Sequence, residues 1–163
     1  AIGENNYGNS DAALDYLKRM TRSFGFALPG SVYEVSPDYG MFTKAWNMYS
    51  FAVPIITQFF GIQPDAGNNV VYFRPQMPSK WEEASISNVI IGDNVISMSY
   101  ENKDGKLVIE VEQSQKRGGL SIEIPEEYGK VKMFGKEVST DTQDGFRRIL
   151  MSGAKARIEA SKE

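Results

Sequence analysis

The 163-residue chain contains neither cysteine nor histidine, which excludes disulfides, Cys/His zinc sites and catalysis by a thiol or an imidazole. Its formal net charge of −3 argues against binding to nucleic acid or to an anionic membrane surface. A hydrophobic content of 41% is enough for a folded core, and any proton transfer would have to use Asp, Glu, Lys or Tyr.

The first predicted helix begins at Ser10, a residue type that caps helices, and ends at Gly25. Residues 1–9 are predicted to be a polar lead-in without secondary structure. Spacings of three and four between apolar residues give the helix one apolar face, formed by Ala13, Leu14, Leu17, Met20 and Phe24. This helix is expected to pack on a neighbour.

A loop over 26–40 places aromatic rings beside carboxylates, with Tyr33, Glu34, Asp38 and Tyr39 close together. This composition suits a sugar site, because aromatic rings stack on pyranose faces while carboxylates bind hydroxyl groups or move protons. A solvated loop in which Asp38 caps a turn is the alternative interpretation.

The second predicted helix covers 41–60, and Pro54 should bend it because proline removes one hydrogen bond of the helix. Its apolar residues surround most of the helix and leave only a narrow polar stripe. One amphipathic helix cannot cover so much apolar surface, so we expect either the strands of this chain or further helices of a larger polypeptide to do so. The chain has no signal-peptide pattern, and its start without Met suggests either a processed chain or a piece of a longer protein.

Beyond a predicted linker over 62–69, the hydrophobic period changes from helical to two. Short alternating segments separated by turns predict an antiparallel β-sandwich, with strands near 70–74, 81–91, 95–100, 107–112, 120–124, 131–134, 146–150 and 156–160. Glu and Lys on these strands are expected to be solvated. The predicted fold class is therefore α+β, with a helical hairpin over 1–66 followed by a sandwich over 67–163.

One stretch carries a family resemblance, namely residues 27–74 with GSVYEVSPDYG, the helix containing Ala45-Trp46, and GIQPDAG. It resembles the closing segment of glycoside hydrolases built on an (α/α)6 toroid, in particular the glycogen-debranching-like and α-L-rhamnosidase-like enzymes. In that group the last inner helix of the toroid is followed by a C-terminal β-sandwich. The resemblance implies hydrolysis of glycosidic bonds by two carboxyl groups, with an inverting outcome.

Residue by residue, the resemblance implies that Glu34 is the general base and that the acid lies upstream, outside this chain. It implies that Tyr33, Tyr39 and Trp46 shape the sugar subsite and that Asp38 holds a hydroxyl group, although Trp46 could instead pack in the core. Lys44 and Asn47 replace the Gln and Ser that flank Ala-Trp in the family element. No metal and no organic cofactor is implied.

These inferences give a set of partners: the catalytic toroid of the same polypeptide, an oligo- or polysaccharide substrate, no nucleic acid and no membrane. Oligomers could form through the apolar helix faces. A periplasmic or extracellular bacterial location is favoured over the cytoplasm, and the fragment alone is expected to be inactive. A rival from another class is a non-catalytic sandwich that binds carbohydrate or has a structural role. Its candidate aromatic side chains are Tyr72, Trp81, Tyr100 and Tyr128.

Overall fold

The computed structural model describes residues 1–26, 28–35 and 38–162, with the backbone alone at 45–48. The chain divides into two compact units, one formed by 1–61 with Gln76–Ser79 and the other by Ile62–Pro75 with 80–163. The predicted α+β class is confirmed: a few helices are followed by two largely antiparallel sheets in a sandwich-like arrangement. No helix of the described residues is both long enough and apolar enough to cross a membrane.

In the part of the first unit that the structure describes, the α-helices are α1 (Ile2–Asn6), α2 (Ser10–Thr21) and α3 (Ala45–Pro54). A π-helical turn at Ile55–Phe59 follows α3 directly. Helix α2 begins at Ser10, as predicted, although the N-cap residue is Asn9 rather than Ser10, and it ends at Thr21, before the predicted stop at Gly25. Helix α1 forms where a lead-in without structure was predicted. The π-helical turn starts at the residue after Pro54, as expected where proline disturbs the hydrogen-bond ladder of a helix.

Gln76–Ser79 belongs to the helical unit through hydrogen bonds with distant residues. The Gln76 N–H donates to the Phe59 carbonyl at 2.9 Å, and the Asn5 side chain donates to Gln76 Oε1 at 2.9 Å. Ser79 donates its N–H and hydroxyl to the two carboxylate oxygens of Asp11, at 2.8 and 2.7 Å. Within the same unit, the rings of Phe24 and Phe51 meet edge to face at 5.3 Å.

The second unit contains two sheets. Their strands are β1 (Ile62–Asp65), β2 (Val70–Phe73), β3 (Glu83–Ile91), β4 (Asn94–Lys103), β5 (Lys106–Gln113), β6 (Gly119–Pro125), β7 (Lys130–Met133), β8 (Lys136–Glu137), β9 (Asp141–Gln143), β10 (Phe146–Ser152) and β11 (Lys155–Ser161). The five-stranded sheet has the order β1-β2-β6-β10-β9, and the six-stranded sheet has the order β3-β4-β5-β11-β7-β8. Strands β2 and β6 pair in parallel, whereas the other described pairs are antiparallel.

The predicted linker at 62–69 was wrong for its first half, because β1 forms there. Strand β1 lies at the edge of its sheet and pairs only with β2, so Pro64 can lack an N–H without costing a hydrogen bond to a second neighbour. The turn that remains, 66–69, connects β1 to β2. The predicted domain boundary after residue 66 stays a prediction.

Alternate side chains of the strands form the core of the sandwich. In β5, Leu107, Ile109 and Val111 are buried, whereas Val108 and Glu110 between them are partly exposed and Glu112 is exposed. The same alternation occurs in β11, where Ala156, Ile158 and Ala160 are buried. Burial of one side chain in two is what two packed sheets require.

Glu123 departs from the expectation that strand carboxylates are solvated, since its side chain is only 3% exposed. It forms ion pairs with Arg74 and Arg148, and the Arg74 guanidinium also lies 4.5 Å from the centre of the Phe146 ring. A carboxylate removed from water needs such partners, because its desolvation is otherwise costly. The alternation of apolar and polar residues does not predict the burial of Glu123, because β6 is buried on both faces.

Two isoleucines of the six-stranded sheet provide a matched test of this core. Ile109→Ala should lower the free energy of unfolding by about 2–5 kcal/mol, since Ile109 is fully buried and its loss leaves a cavity. Ile90→Ala should change it by about 0.5 kcal/mol or less, because Ile90 is 73% exposed. Urea denaturation of both variants measures the difference, and equal losses would contradict the assignment of the buried face.

Candidate functional site

The candidate site is a closed loop around Glu34 in the helical unit. The Glu34 N–H donates to the Met41 carbonyl at 2.8 Å, and Val35 and Tyr39 exchange two backbone hydrogen bonds of 3.0 Å. These bonds bring the two ends of the loop together. They also explain why the helix predicted from residue 41 begins only at Ala45: the backbone of Met41 is paired with Glu34.

Both carboxylate oxygens of Glu34 have a donor. Lys44 Nζ donates to Oε1 in an ion pair, and the Met41 N–H donates to Oε2 at 3.4 Å. The Lys44 side chain is 11% exposed, whereas the Glu34 side chain is 39% exposed. The carboxylate is therefore accessible to solvent while the ammonium group that holds it is mostly covered.

The hydrogen bond from Lys44 lowers the pKa of Glu34 below its usual range, and the backbone N–H of Met41 lowers it further. Both donors favour the charged carboxylate. Because the pKa is lower in the folded state, the stabilisation is fully present above the ordinary glutamate pKa and is lost as the pH falls through the folded value. At neutral pH Glu34 is thus ionised and can accept a proton.

Gly40, at the other end of the loop, leaves room for the Glu34 side chain. Its φ of +81° lies in the left-handed region, which glycine adopts without strain. A Cβ atom at this position would lie 3.0 Å from both Cβ and Oε2 of Glu34. A larger residue would therefore be strained and would also displace the carboxylate.

For the other predicted site residues, the structure gives mainly the degree of burial. Tyr33 precedes Glu34 and is half-buried, whereas Asp38 and Tyr39 are exposed, Tyr39 by 75%. Trp46 belongs to the first turn of α3, but its side chain lies outside the described residues. The structure therefore joins Glu34 to its own loop and to Lys44, and the roles of Tyr33, Asp38 and Trp46 stay predictions.

Sequence reasoning missed the part played by Lys44, which it treated only as a departure from a family element. A signal was available: Lys44 is the only Lys or Arg between Arg22 and Arg74, in a stretch whose loop contains two acidic residues. The importance of Gly40 had no such signal, because a glycine in a loop is ordinary. Among the described residues, no group of three or more acidic side chains could hold a metal ion.

The aromatic side chains proposed for a binding sandwich do not form an exposed platform. Tyr128 is buried, and Tyr72, Trp81 and Tyr100 are half-buried. The hydroxyl of Tyr128 donates to Asn102 Oδ1 at 3.0 Å, and Asn102 Nδ2 donates to the hydroxyl of Tyr100 at 3.1 Å. Burial raises the pKa of both tyrosines. Tyr100 and Tyr128 are thus engaged within the sandwich.

Solved structures that share this fold include two α-L-rhamnosidases. The α-L-rhamnosidase of Dictyoglumus thermophilum is 10% identical with a TM-score of 0.59, and the match covers 76% of this chain and 15% of that one. The α-L-rhamnosidase of Streptomyces avermitilis, complexed with L-rhamnose, is 17% identical with a TM-score of 0.53, and the match covers 72% and 12%. The chain shares its fold with a piece of glycoside hydrolases. It spans less than a sixth of either enzyme, and these identities support the fold alone.

No protein-family model matches the sequence, and no curated protein matches it either.

Removing the positive charge beside Glu34 should raise the pKa of that carboxyl group. In Lys44→Met the value should move up towards that of an ordinary glutamate, because the donor that most favours the charged form is lost. Carboxyl carbon NMR shifts across a pH titration measure it. Lys18→Met, which removes a lysine of α2, serves as the control and should leave the Glu34 pKa unchanged. An equal pKa in the wild type and Lys44→Met would contradict the described pair.

Gly40 and Gly30 have similar positive φ angles, so a comparison of the two distinguishes a contact with Glu34 from backbone strain alone. Gly40→Ala and Gly30→Ala both place a Cβ atom at a φ near +80°, which should cost roughly 1 kcal/mol of folding stability in each. Only at Gly40 would the new atom meet Glu34, since nothing lies within 4 Å at Gly30. The Glu34 carboxyl NMR signal should therefore shift in Gly40→Ala alone; a shift of the same size in Gly30→Ala would refute the contact.

Proposed function

We propose that this chain is the C-terminal piece of a glycoside hydrolase that cleaves glycosidic bonds with two carboxyl groups and an inverting outcome. Glu34 is the general base. The observation that carries the proposal is the exposed, ionised Glu34 carboxylate held by Lys44 and Met41, in a chain whose fold matches a piece of two α-L-rhamnosidases.

The geometry of Glu34 fits the work of a base. A carboxylate offers about four acceptor positions, and Lys44 and Met41 use one position on each oxygen. In this proposal the carboxylate takes its proton from the water that attacks the sugar. Lys44 keeps the base ionised, which a base must be before it takes a proton from that water.

Inverting hydrolysis also needs a protonated acid about 6.5–9.5 Å from the base, with the sugar and water between them. In this proposal the acid comes from the preceding part of the same polypeptide, a toroid of helical hairpins. Asp38 holds a sugar hydroxyl, and Tyr33 and Trp46 shape the subsite. The substrate is an oligo- or polysaccharide, with rhamnosides and glucosides as the first candidates.

The apolar surface of the helical unit supports this arrangement. Tyr49 of α3 is 57% exposed, and its neighbours Phe51, Val53, Ile55 and Ile56 are only half-buried. In the loops, Phe26, Leu28, Met41 and Phe42 are exposed as well. So many accessible apolar side chains on one small unit are typical of a surface that other protein elements cover.

The chain alone should not hydrolyse aryl rhamnosides or glucosides, because it lacks the acid. In the polypeptide that carries it, Glu34→Gln should lower kcat by about 10²–10⁴-fold, since the amide cannot accept the proton. Glu82→Gln, at an exposed site of the sandwich, is the control and should keep full activity. Proton NMR of the first product should show the anomer opposite to that of the substrate.

Two results would refute the proposal. One is turnover by the isolated 163-residue chain that Glu34→Gln abolishes, since a single carboxylate would then suffice. The other is a Glu34→Gln polypeptide that is as active as the Glu82→Gln control.

A further inference from the structure

A pocket of about 230 Å³ opens at one end of the sandwich, within the second unit. The β1–β2 turn, the β3–β4 turn, the end of β5 and the start of β6 surround it. It is smaller than the roughly 300–1,000 Å³ sites that take drug-sized ligands, so it suits a single small molecule. None of its residues belongs to the Glu34 loop.

The floor of this pocket is a buried amide pair. Asn94 is 4% exposed and Gln113 is 6% exposed, and Asn94 Nδ2 donates to Gln113 Oε1 at 2.8 Å. Gln113 Nε2 donates to the carbonyls of Gly118 and Gly153, at 2.9 and 2.7 Å. Since both of its amide protons are used, the Gln113 side chain is fixed, and the floor is formed before any ligand arrives.

The rim of the pocket is rich in hydrogen-bond acceptors. Asp93 accepts from Gln115 Nε2 at 2.7 Å through one carboxylate oxygen. Across the pocket, Asp65 accepts from the backbone and side chain of Asn68, at 3.2 and 2.8 Å. In each case the donor is a neutral amide, so the carboxylates are oriented while acceptor positions remain for ligand hydroxyl groups.

The walls between floor and rim are aliphatic, and they include Pro64, Val71 and Ile91. An aliphatic wall beside oriented carboxylates matches a sugar ring, which has apolar C–H faces and hydroxyl groups around its edge. A metal ion fits less well, because among the described residues no group of three or more acidic side chains could hold one. The chemistry therefore favours a neutral polyhydroxylated ring.

We propose that this end of the sandwich is a non-catalytic binding site for one neutral pyranose unit. Asp93 and Asp65 accept hydrogen bonds from its hydroxyl groups, and Val71 and Ile91 contact its ring. The site is independent of Glu34, so it would serve to hold a saccharide on the sandwich rather than to cleave it.

The test is a titration of the ¹⁵N-labelled 163-residue chain with L-rhamnose, D-glucose and D-galactose at millimolar concentrations, followed by amide NMR. At least one sugar should cause saturable shifts confined to the pocket, at Asn69, Gly92, Asp93, Gln115 and Gly118. Asp93→Ala should raise the Kd about tenfold, because it removes a charged acceptor. Asp141→Ala, at an exposed site on β9, is the matched control and should leave the Kd unchanged.

A second variant tests the pocket independently of any local change of structure that Asp93→Ala causes. Ala66→Tyr places a ring at the mouth of the pocket and should abolish the saturable shifts while the remaining spectrum stays the same. The proposal is overturned if none of the three sugars gives saturable shifts, or if the shifts fall on the outer face of the six-stranded sheet at Ser85, Ser99 and Glu101. It is also overturned if Ca²⁺ shifts the pocket amides and the sugars do not.

Discussion

Burial of every second side chain along the strands is the constraint on which the sandwich depends. Ile109 of β5 and Ile158 of β11 are directly paired and fully buried, and Ile122 of β6 is buried in the other sheet. A shift of register by one residue would expose these side chains and bury charged ones, so the pairing has one stable solution. The turns at the ends of the strands can then vary in sequence without loss of the core, and one such end holds the pocket lined by Asp65 and Asp93.

The Glu34 loop is held by a different kind of interaction. Backbone hydrogen bonds close the loop, glycine at position 40 leaves room for the carboxylate, and Lys44 supplies the charge. Each of these contacts is local, because all of them lie within eleven residues of the chain. A site of this kind can keep its geometry while the surrounding apolar surface is covered by other elements.

Much of the sandwich could be predicted from the sequence. In strands such as β5 and β11, the apolar residues of the alternating pattern are the ones that are buried. Strand β1 could not be predicted, since Pro64 usually marks a linker and only its place at a sheet edge makes it tolerable. The burial of Glu123 could not be predicted either, for a related reason. Its burial depends on Arg74 and Arg148, which lie 49 and 25 residues away, and no local pattern contains that information.

The site was predicted in part. The family resemblance predicts Glu34 as a site residue, but it predicts neither the closed loop nor the ion pair with Lys44. The start of α3 was placed four residues early, because helix propensity cannot anticipate that Met41 pairs with the backbone of Glu34. The closed loop, the Lys44 ion pair and the start of α3 all depend on contacts within the loop, which hydrophobic periodicity does not report.

The central claim is that Glu34 acts opposite a second carboxyl group contributed by the rest of a larger polypeptide. The most direct measurement is a crystal structure of that polypeptide with a monosaccharide bound. The account predicts that the Glu34 carboxylate lies about 6.5–9.5 Å from another carboxyl group, with the sugar between the two. A bound sugar far from Glu34, with Glu34 and Lys44 facing bulk solvent, would contradict it.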